Sequence, residues 1–154
     1  MSAFTEDEAP PRTAGPPRYA DLEVGHELPS LTVRITRADL VRYAGSSTDF
    51  NTIHWSDRVA HEVGLPGVIA HGMLTMAQAA RVVTDWVGDP AAIADFSVRF
   101  AKPVLVPDDD KGAEVVFGGR VAALLEDGMV RVDLTATCDG ERVLTGARAF
   151  VRLP

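Results

Sequence analysis

The stretch Ala70-His71-Gly72-Met73-Leu74-Thr75-Met76-Ala77-Gln78-Ala79-Ala80-Arg81-Val82-Val83-Thr84-Asp85-Trp86-Val87-Gly88-Asp89-Pro90 carries the strongest helical signal in the chain. Met73, Met76, Ala77, Ala80, Val83 and Val87 follow the three-four spacing of one helix face, with Thr84 the one polar residue on that stripe, until Gly88-Asp89-Pro90 stops it. The first half is apolar nearly all round, as expected of a helix that runs through the middle of a domain. Val63 to Ala80 is a run without a formal charge, about the length of a membrane span. Gly64, Pro66, Gly67, His71, Gly72, Thr75 and Gln78 interrupt it, so it reads as a glycine-rich loop entering a buried helix.

Upstream, Leu31, Val33 and Ile35 alternate with Thr32 and Arg34 in the period of a half-buried strand. Thr36, with Asp39 three residues on, is a weak capping box for a short helix that carries Leu40, Tyr43 and Ala44 and is expected to end at Gly45. A second short helix runs from Ser56 as cap to Gly64 as its left-handed stop, and the polar loop Ser46 to His54 separates the two. Downstream the period becomes two: Phe96, Val98 and Phe100 alternate with Ser97, Arg99 and Ala101 until Pro103. Asp127-Gly128 and Asp139-Gly140 are two-residue hairpin signals separating the strands Val115–Leu125, Val130–Cys138 and Val143–Val151. Helices grouped early and antiparallel strands grouped late predict an α+β domain whose sheet packs against the long helix. That layout resembles a hot-dog fold.

The 154 residues, 46% hydrophobic and 24% charged, suffice for one core and one domain. Residues 1–20 hold Glu6, Asp7 and Glu8 and four prolines, which reads as a disordered tail without a secretory signal, and 21–154 as the domain. Net charge −7 repels nucleic acid and anionic membranes. The lone Cys138 excludes an internal disulfide and a Cys-based metal cluster and points to a reducing cytoplasm. Just two of the 15 basic residues are lysines, a mark of a GC-rich bacterial genome.

Two features can carry chemistry. Asp49 and His54 lie five positions apart in the polar loop, and a carboxylate and an imidazole converging on one molecule can hold a water and move protons near neutral pH. The bland reading is that they are ordinary turn residues. Gly72 lies at the expected start of the long helix, where free N–H groups and the helix dipole can stabilise a developing oxyanion; it can equally serve a tight entry into the helix. His71 reads as a structural histidine, and His26 and His61 as solvated surface residues. Trp55 and Trp86 are candidates for an apolar cleft or for the core, and Met73 and Met76 for the core. The spacing of Asp49, His54 and His71 matches no usual metal-ligand pattern, so no metal site is expected.

The segment from Tyr43 to His54, with Asp49, Asn51 and His54, resembles the hydratase signature of the MaoC-like (R)-specific enoyl-thioester hydratases and dehydratases. The resemblance covers about residues 21–154. Ile53-His54-Trp55, Ala70-His71-Gly72-Met73-Leu74-Thr75-Met76, Trp86-Val87-Gly88-Asp89-Pro90 and Val98-Arg99-Phe100 are similar to the catalytic subunits of mycobacterial (3R)-hydroxyacyl-acyl-carrier-protein dehydratases within that family. The resemblance implies reversible syn hydration of the C2–C3 double bond of an acyl thioester on acyl carrier protein or coenzyme A, without a cofactor. It implies Asp49 and His54 as the acid-base pair, Asn51 as support of the catalytic loop, the Gly72 N–H as oxyanion donor, and a second hot-dog subunit as partner. Thr48 stands where glycine is common in the family, and Thr52 where proline is common. The rival classes are a hot-dog thioesterase, which needs a carboxylate placed at the carbonyl, and a non-catalytic acyl-binding subunit, which loses the pair.

Overall fold

Hairpin turns with both central residues left-handed organise the C-terminal strands, in a computed structural model that describes residues 16–154. Asp127 (φ 56°) and Gly128 (φ 70°) join β3 (Ala113–Leu124) to β4 (Met129–Cys138), and Asp139 (φ 50°) and Gly140 (φ 77°) join β4 to the short β5 (Glu141–Arg142). β6 (Leu144–Arg152) returns along β4. β6 is the expected strand Val143–Val151 offset by one residue, and Val143, whose N–H donates to the Ala136 carbonyl at 3.0 Å, separates it from the short β5.

β1 (Glu27–Ile35) starts before the alternating run, because a register irregularity between Leu28 and Leu31 hides its first residues from a period-two reading. β2 (Ile93–Phe100) likewise begins two residues before Asp95. All pairs are antiparallel, in the order β1-β3-β4-β6-β2 with β5 on β4, so β1 and β2 are the edge strands.

α1 (Arg37–Ser47) opens with a full capping box: Asp39 N–H donates to Thr36 Oγ1 at 3.3 Å and Thr36 N–H to Asp39 Oδ2 at 2.9 Å. It passes through Gly45, the expected stop, and ends where Thr48 takes the left-handed conformation (φ 61°). α2 (Asp57–Glu62) is capped by Ser56 and followed by Gly64 at φ 85°, as its sequence predicts.

α3 (Gly72–Val87) is the long helix, and it touches β1, β2, β3 and β4. It buries Thr75, Ala79, Val82, Val83 and Val87, so the expected stripe holds at Val83 and Val87 but not at Met73, Met76, Ala77 and Ala80, which are exposed or half-buried. Its first half is apolar on both flanks, so periodicity alone does not choose the flank the sheet takes; Met73 is left 56% exposed, outside the core. The helix approaches β3 closely at Gly119, where a Cβ would meet Val82 Cγ1 at 3.2 Å and Leu134 Cδ2 at 3.1 Å. Phe117, Val115, Val121, Val130, Val132 and Val151 complete the core from the sheet. This is a hot-dog arrangement, an antiparallel sheet around a long central helix.

Residues 1–15 of the expected tail lie outside the described residues. Tyr19, also assigned to the tail by composition, donates its backbone N–H to the Pro154 carbonyl (3.0 Å) and its hydroxyl to Leu125 O (2.7 Å). Among the described residues no helix is long and apolar enough to cross a membrane.

Candidate active site

The polar loop after α1 consumes its own side chains in sequence. Ser47 Oγ donates to Tyr43 O (2.7 Å) and accepts from Asp49 N–H (3.3 Å); Asp49 Oδ1 accepts from Asn51 N–H (3.2 Å). Asn51 Oδ1 in turn accepts from Ile53 N–H (3.3 Å) and caps the 3-10 turn Thr52–His54. Asn51 thus supports the loop locally, and Asp49 has one oxygen, Oδ2, free of these turns. That oxygen lies 4.0 Å from His54 Nε2.

His54 is buried, and its Nδ1 is 2.7 Å from the Ile69 carbonyl. A carbonyl only accepts, so Nδ1 carries a proton and Nε2 is the nitrogen turned toward Asp49. The strap that supplies Ile69 is fixed from several sides. Ile69 N–H donates to Ile53 O (3.3 Å) and Ala70 N–H to Val104 O (2.8 Å), and Val106 N–H donates to Val68 O (2.9 Å). Arg37 forks onto Asp57 at 2.9 and 3.1 Å and donates Nε–H to Val106 O at 2.6 Å, while Asp57 Oδ1 accepts from Val68 N–H at 3.3 Å. The Arg37 guanidinium holds the Asp57 carboxyl below the usual carboxylate range.

His71 is the N-cap residue of α3 and is buried. Its ring stacks on His54 with centroids 3.8 Å apart and planes at 24°, and tilts against Tyr43 at 4.8 Å. Its Nε2–H donates to the Asp49 carbonyl at 3.1 Å. Burial pushes its pKa down, partly opposed by that hydrogen bond.

The N-cap residue His71 makes no side-chain capping bond, so it offers the first N–H groups of α3 no side-chain acceptor. A cavity of about 280 Å³ begins there, lined by His54, Ile69, Gly72, Thr75, Phe100 and Val104 among others. A Cβ on Gly72 would come within 3.1 Å of the Phe100 ring.

Of the four expected site residues, Asp49, Asn51 and His54 share one loop, with Asp49 Oδ2 4.0 Å from His54 Nε2, and His54 and Gly72 line the cavity, while Asp49 and Asn51 are not among its lining residues. Asp49, His54 and His71 also offer metal-ligating atoms within 4.8 Å of one another, a proximity that linear spacing did not reveal. The lone pairs of an imidazole lie in its ring plane, and the two stacked rings aim them side by side rather than at one point. Neither tryptophan lines the cavity: Trp55 is half exposed and donates Nε1–H to Phe50 O at 3.2 Å, and Trp86 packs partly against the core, with His26 at 6.3 Å. His26 and His61 are exposed, as expected. Sequence reasoning missed the roles of Ile69 and the Arg37–Asp57 pair, for which no local signal exists; for His71, its place beside Gly72 was the available cue.

The profile described as MaoC like domain matches residues 22–137. The 3-hydroxyacyl-thioester dehydratase X of Mycobacterium tuberculosis is 44% identical over 79 residues, 51% of this chain and 27% of that protein. A 3-hydroxybutyryl-CoA dehydratase of Methylorubrum extorquens is 30% identical over 139 residues, 88% of this chain and 83% of that protein. A solved MaoC-like dehydratase superposes with a TM-score of 0.87 at 40% identity, over 91% of this chain and 43% of its own. The match thus spans about a quarter of the mycobacterial protein and under half of the solved chain, but most of the Methylorubrum enzyme. With a profile match across most of its length and relatives named as dehydratases, the chain belongs to the MaoC-like domain family.

Proposed function

We propose that this chain is a hydro-lyase that reversibly dehydrates (3R)-hydroxyacyl thioesters, carried on coenzyme A or acyl carrier protein, as the catalytic subunit of a hot-dog pair. The observation that carries the reading is His54, which lines the cavity with Gly72 and whose Nδ1 bonds the Ile69 carbonyl so that Nε2 faces Asp49 Oδ2.

The 4.0 Å gap is too long for a direct hydrogen bond and suits one oxygen, a water or the 3-hydroxyl, bridging the two groups. In dehydration, Nε2 of His54 takes the C2 proton while the negative charge moves to the thioester oxygen, stabilised by the Gly72 N–H at the helix dipole's positive end. The C3–O bond then breaks, and the hydroxyl leaves as water with the proton returned from the imidazolium. Asp49 accepts a hydrogen bond from the departing oxygen and stabilises the imidazolium. Syn geometry lets one base serve both steps, and no net proton is required. Asn51 keeps the loop in register.

A second hot-dog subunit fits the exposed flank. Phe100 on the edge strand β2, which lines the cavity, is 54% exposed, and Met73 and Leu105, each next in sequence to a cavity-lining residue, are 56% and 42% exposed. Such an edge is normally covered or joined. A heterodimer is the reading, with a homodimer as the fallback.

The test is loss of crotonyl thioester absorbance, on coenzyme A and on acyl carrier protein, with and without a co-expressed hot-dog partner, alongside light scattering. Hydration by the wild type, slowed by about 10² to 10⁴ in Asp49→Asn, is expected. Free thiol release without hydration would replace the reading with a thioesterase, and absence of either, with retained acyl binding, would make the chain a binding subunit.

A further inference from the structure

The Asp49–His54 pair is assembled from two chain segments, and one buried side chain touches both. His71 is 1% exposed, and on one side its Nε2–H holds the Asp49 carbonyl at 3.1 Å. On its face it stacks against the His54 ring at 3.8 Å, and Tyr43 closes around it at 4.8 Å. Its own carbonyl accepts the first α3 bond, from Thr75 N–H at 3.2 Å, and the Thr75 hydroxyl at 3.4 Å. The next residue is Gly72. One side chain and its backbone therefore meet the carboxylate loop, the imidazole and the helix end.

We infer that His71 is a positioning residue for the proposed dehydration, setting the separation of Asp49 from His54 and tying both to the N-terminus of α3. The inference rests on the proposed roles of Asp49 and His54. His71 does not itself transfer a proton: its Nε2 proton is committed to a carbonyl, and its Nδ1 is buried with no hydrogen-bond partner among the described residues. Burial disfavours a charge on this ring, which eases its stacking against an imidazolium formed on His54 during turnover. A buried acceptor without a partner is costly, and a structural histidine would be replaceable by an apolar side chain of similar size.

The test compares His71→Leu, which loses the donor, with His71→Gln, whose amide N–H can still reach the Asp49 carbonyl. For His71→Leu, kcat on a crotonyl thioester is expected to fall about 100-fold with KM nearly unchanged, the scale of a displacement of about 1 Å. His71→Gln is expected to stay within about tenfold of wild type and to keep both limbs of the pH–rate profile. Amide hydrogen exchange supplies a readout independent of turnover: residues 49–53 are expected to exchange faster in His71→Leu and not in His71→Gln. Wild-type kcat in His71→Leu overturns the inference, as does a loss beyond tenfold in folded His71→Gln or a missing limb of its profile, which would mark proton transfer. Should the leucine variant fail to fold, the glutamine variant decides alone by the same limits. Turnover retained in Asp49→Asn would instead defeat the proposed function, whatever the His71 variants do.

Discussion

His54 Nδ1 donates a 2.7 Å hydrogen bond to the carbonyl of Ile69, a residue on a different segment, and so leaves Nε2 as the nitrogen facing Asp49. The imidazole's orientation is thus set by backbone from a strap that the Arg37–Asp57 pair fastens to α1 and α2. Second-partner hydrogen bonds of this kind choose the tautomer that does the chemistry.

Asp49→Asn and His54→Ala are both expected to lower turnover by about 10² to 10⁴. Their stabilities should part. The Asp49 side chain is half exposed, and an amide oxygen can still accept from Asn51 N–H, so Asp49→Asn should change stability by no more than about 0.5 kcal/mol. His54 is buried, and its loss strands the Ile69 carbonyl, so His54→Ala should cost about 1–3 kcal/mol. A polar loop outside the periodic core suggests neutrality for both; burial restricts that to Asp49. Urea unfolding beside kinetics checks the pair, and retained turnover in both variants would sink the acid-base assignment.

Gly72→Ala places a Cβ 3.1 Å from the Phe100 ring, which is half exposed and free to give way. The fold should survive. Turnover should fall by about 10-fold or more, because the ring or the new methyl then crowds the approach to an N–H whose loss as an oxyanion donor is worth about 10² to 10³. Equal kcat in a folded variant removes Gly72 from the mechanism.

Thr48 is a β-branched residue held at φ 61°, where a left-handed conformation costs about 1–2 kcal/mol. Thr48→Gly should recover a part of that. Thr52 opens a 3-10 turn, and Asn51 before it sits at φ −55° and ψ 126°, a conformation that tolerates a following proline. Thr52→Pro should add about 0.4–1 kcal/mol by restricting the unfolded chain. A lower urea midpoint in either variant contradicts the reading of this loop.

Burial holds the His71 pKa below its ordinary value, with His54, Asp49 and Tyr43 as the titratable groups around it. As pH falls through about 6.5, the unfolded chain takes up a proton there that the folded chain refuses. Stability attached to His71 is therefore complete above that pH and is lost as pH falls toward the folded pKa. His71→Gln should flatten this slope in urea midpoints measured between about pH 5 and 8. Asp57, held low by Arg37, acts in the more acidic carboxylate range and so leaves this window clear. An unchanged slope in the variant would place the pH dependence elsewhere.

Much of the fold is legible in the chain because its signals are local. Asp-Gly pairs demand left-handed turns, Thr36 and Asp39 satisfy one another's N–H groups within one turn, and Gly88 closes α3 at φ 75°. Asp49 and Asn51 are readable for the same reason, since their Asx-type bonds span two residues; His54 is readable by its place in the same loop, while the bond that orients its ring reaches 15 residues on. Gly45 misleads because a glycine permits a helix stop without requiring one, and three residues later Thr48 makes the turn.

The sequence by itself determined the element types, the hairpins and the identity of the polar loop, all governed by interactions within a few positions. Tertiary structure alone decided which apolar flank of α3 the sheet covers, that β2 lies outermost beside β6, and that Ile69 and His71 lock the loop from 15 and 22 positions away. Those outcomes depend on which surfaces pack together and which carbonyl a ring nitrogen meets, and neither is encoded in periodicity.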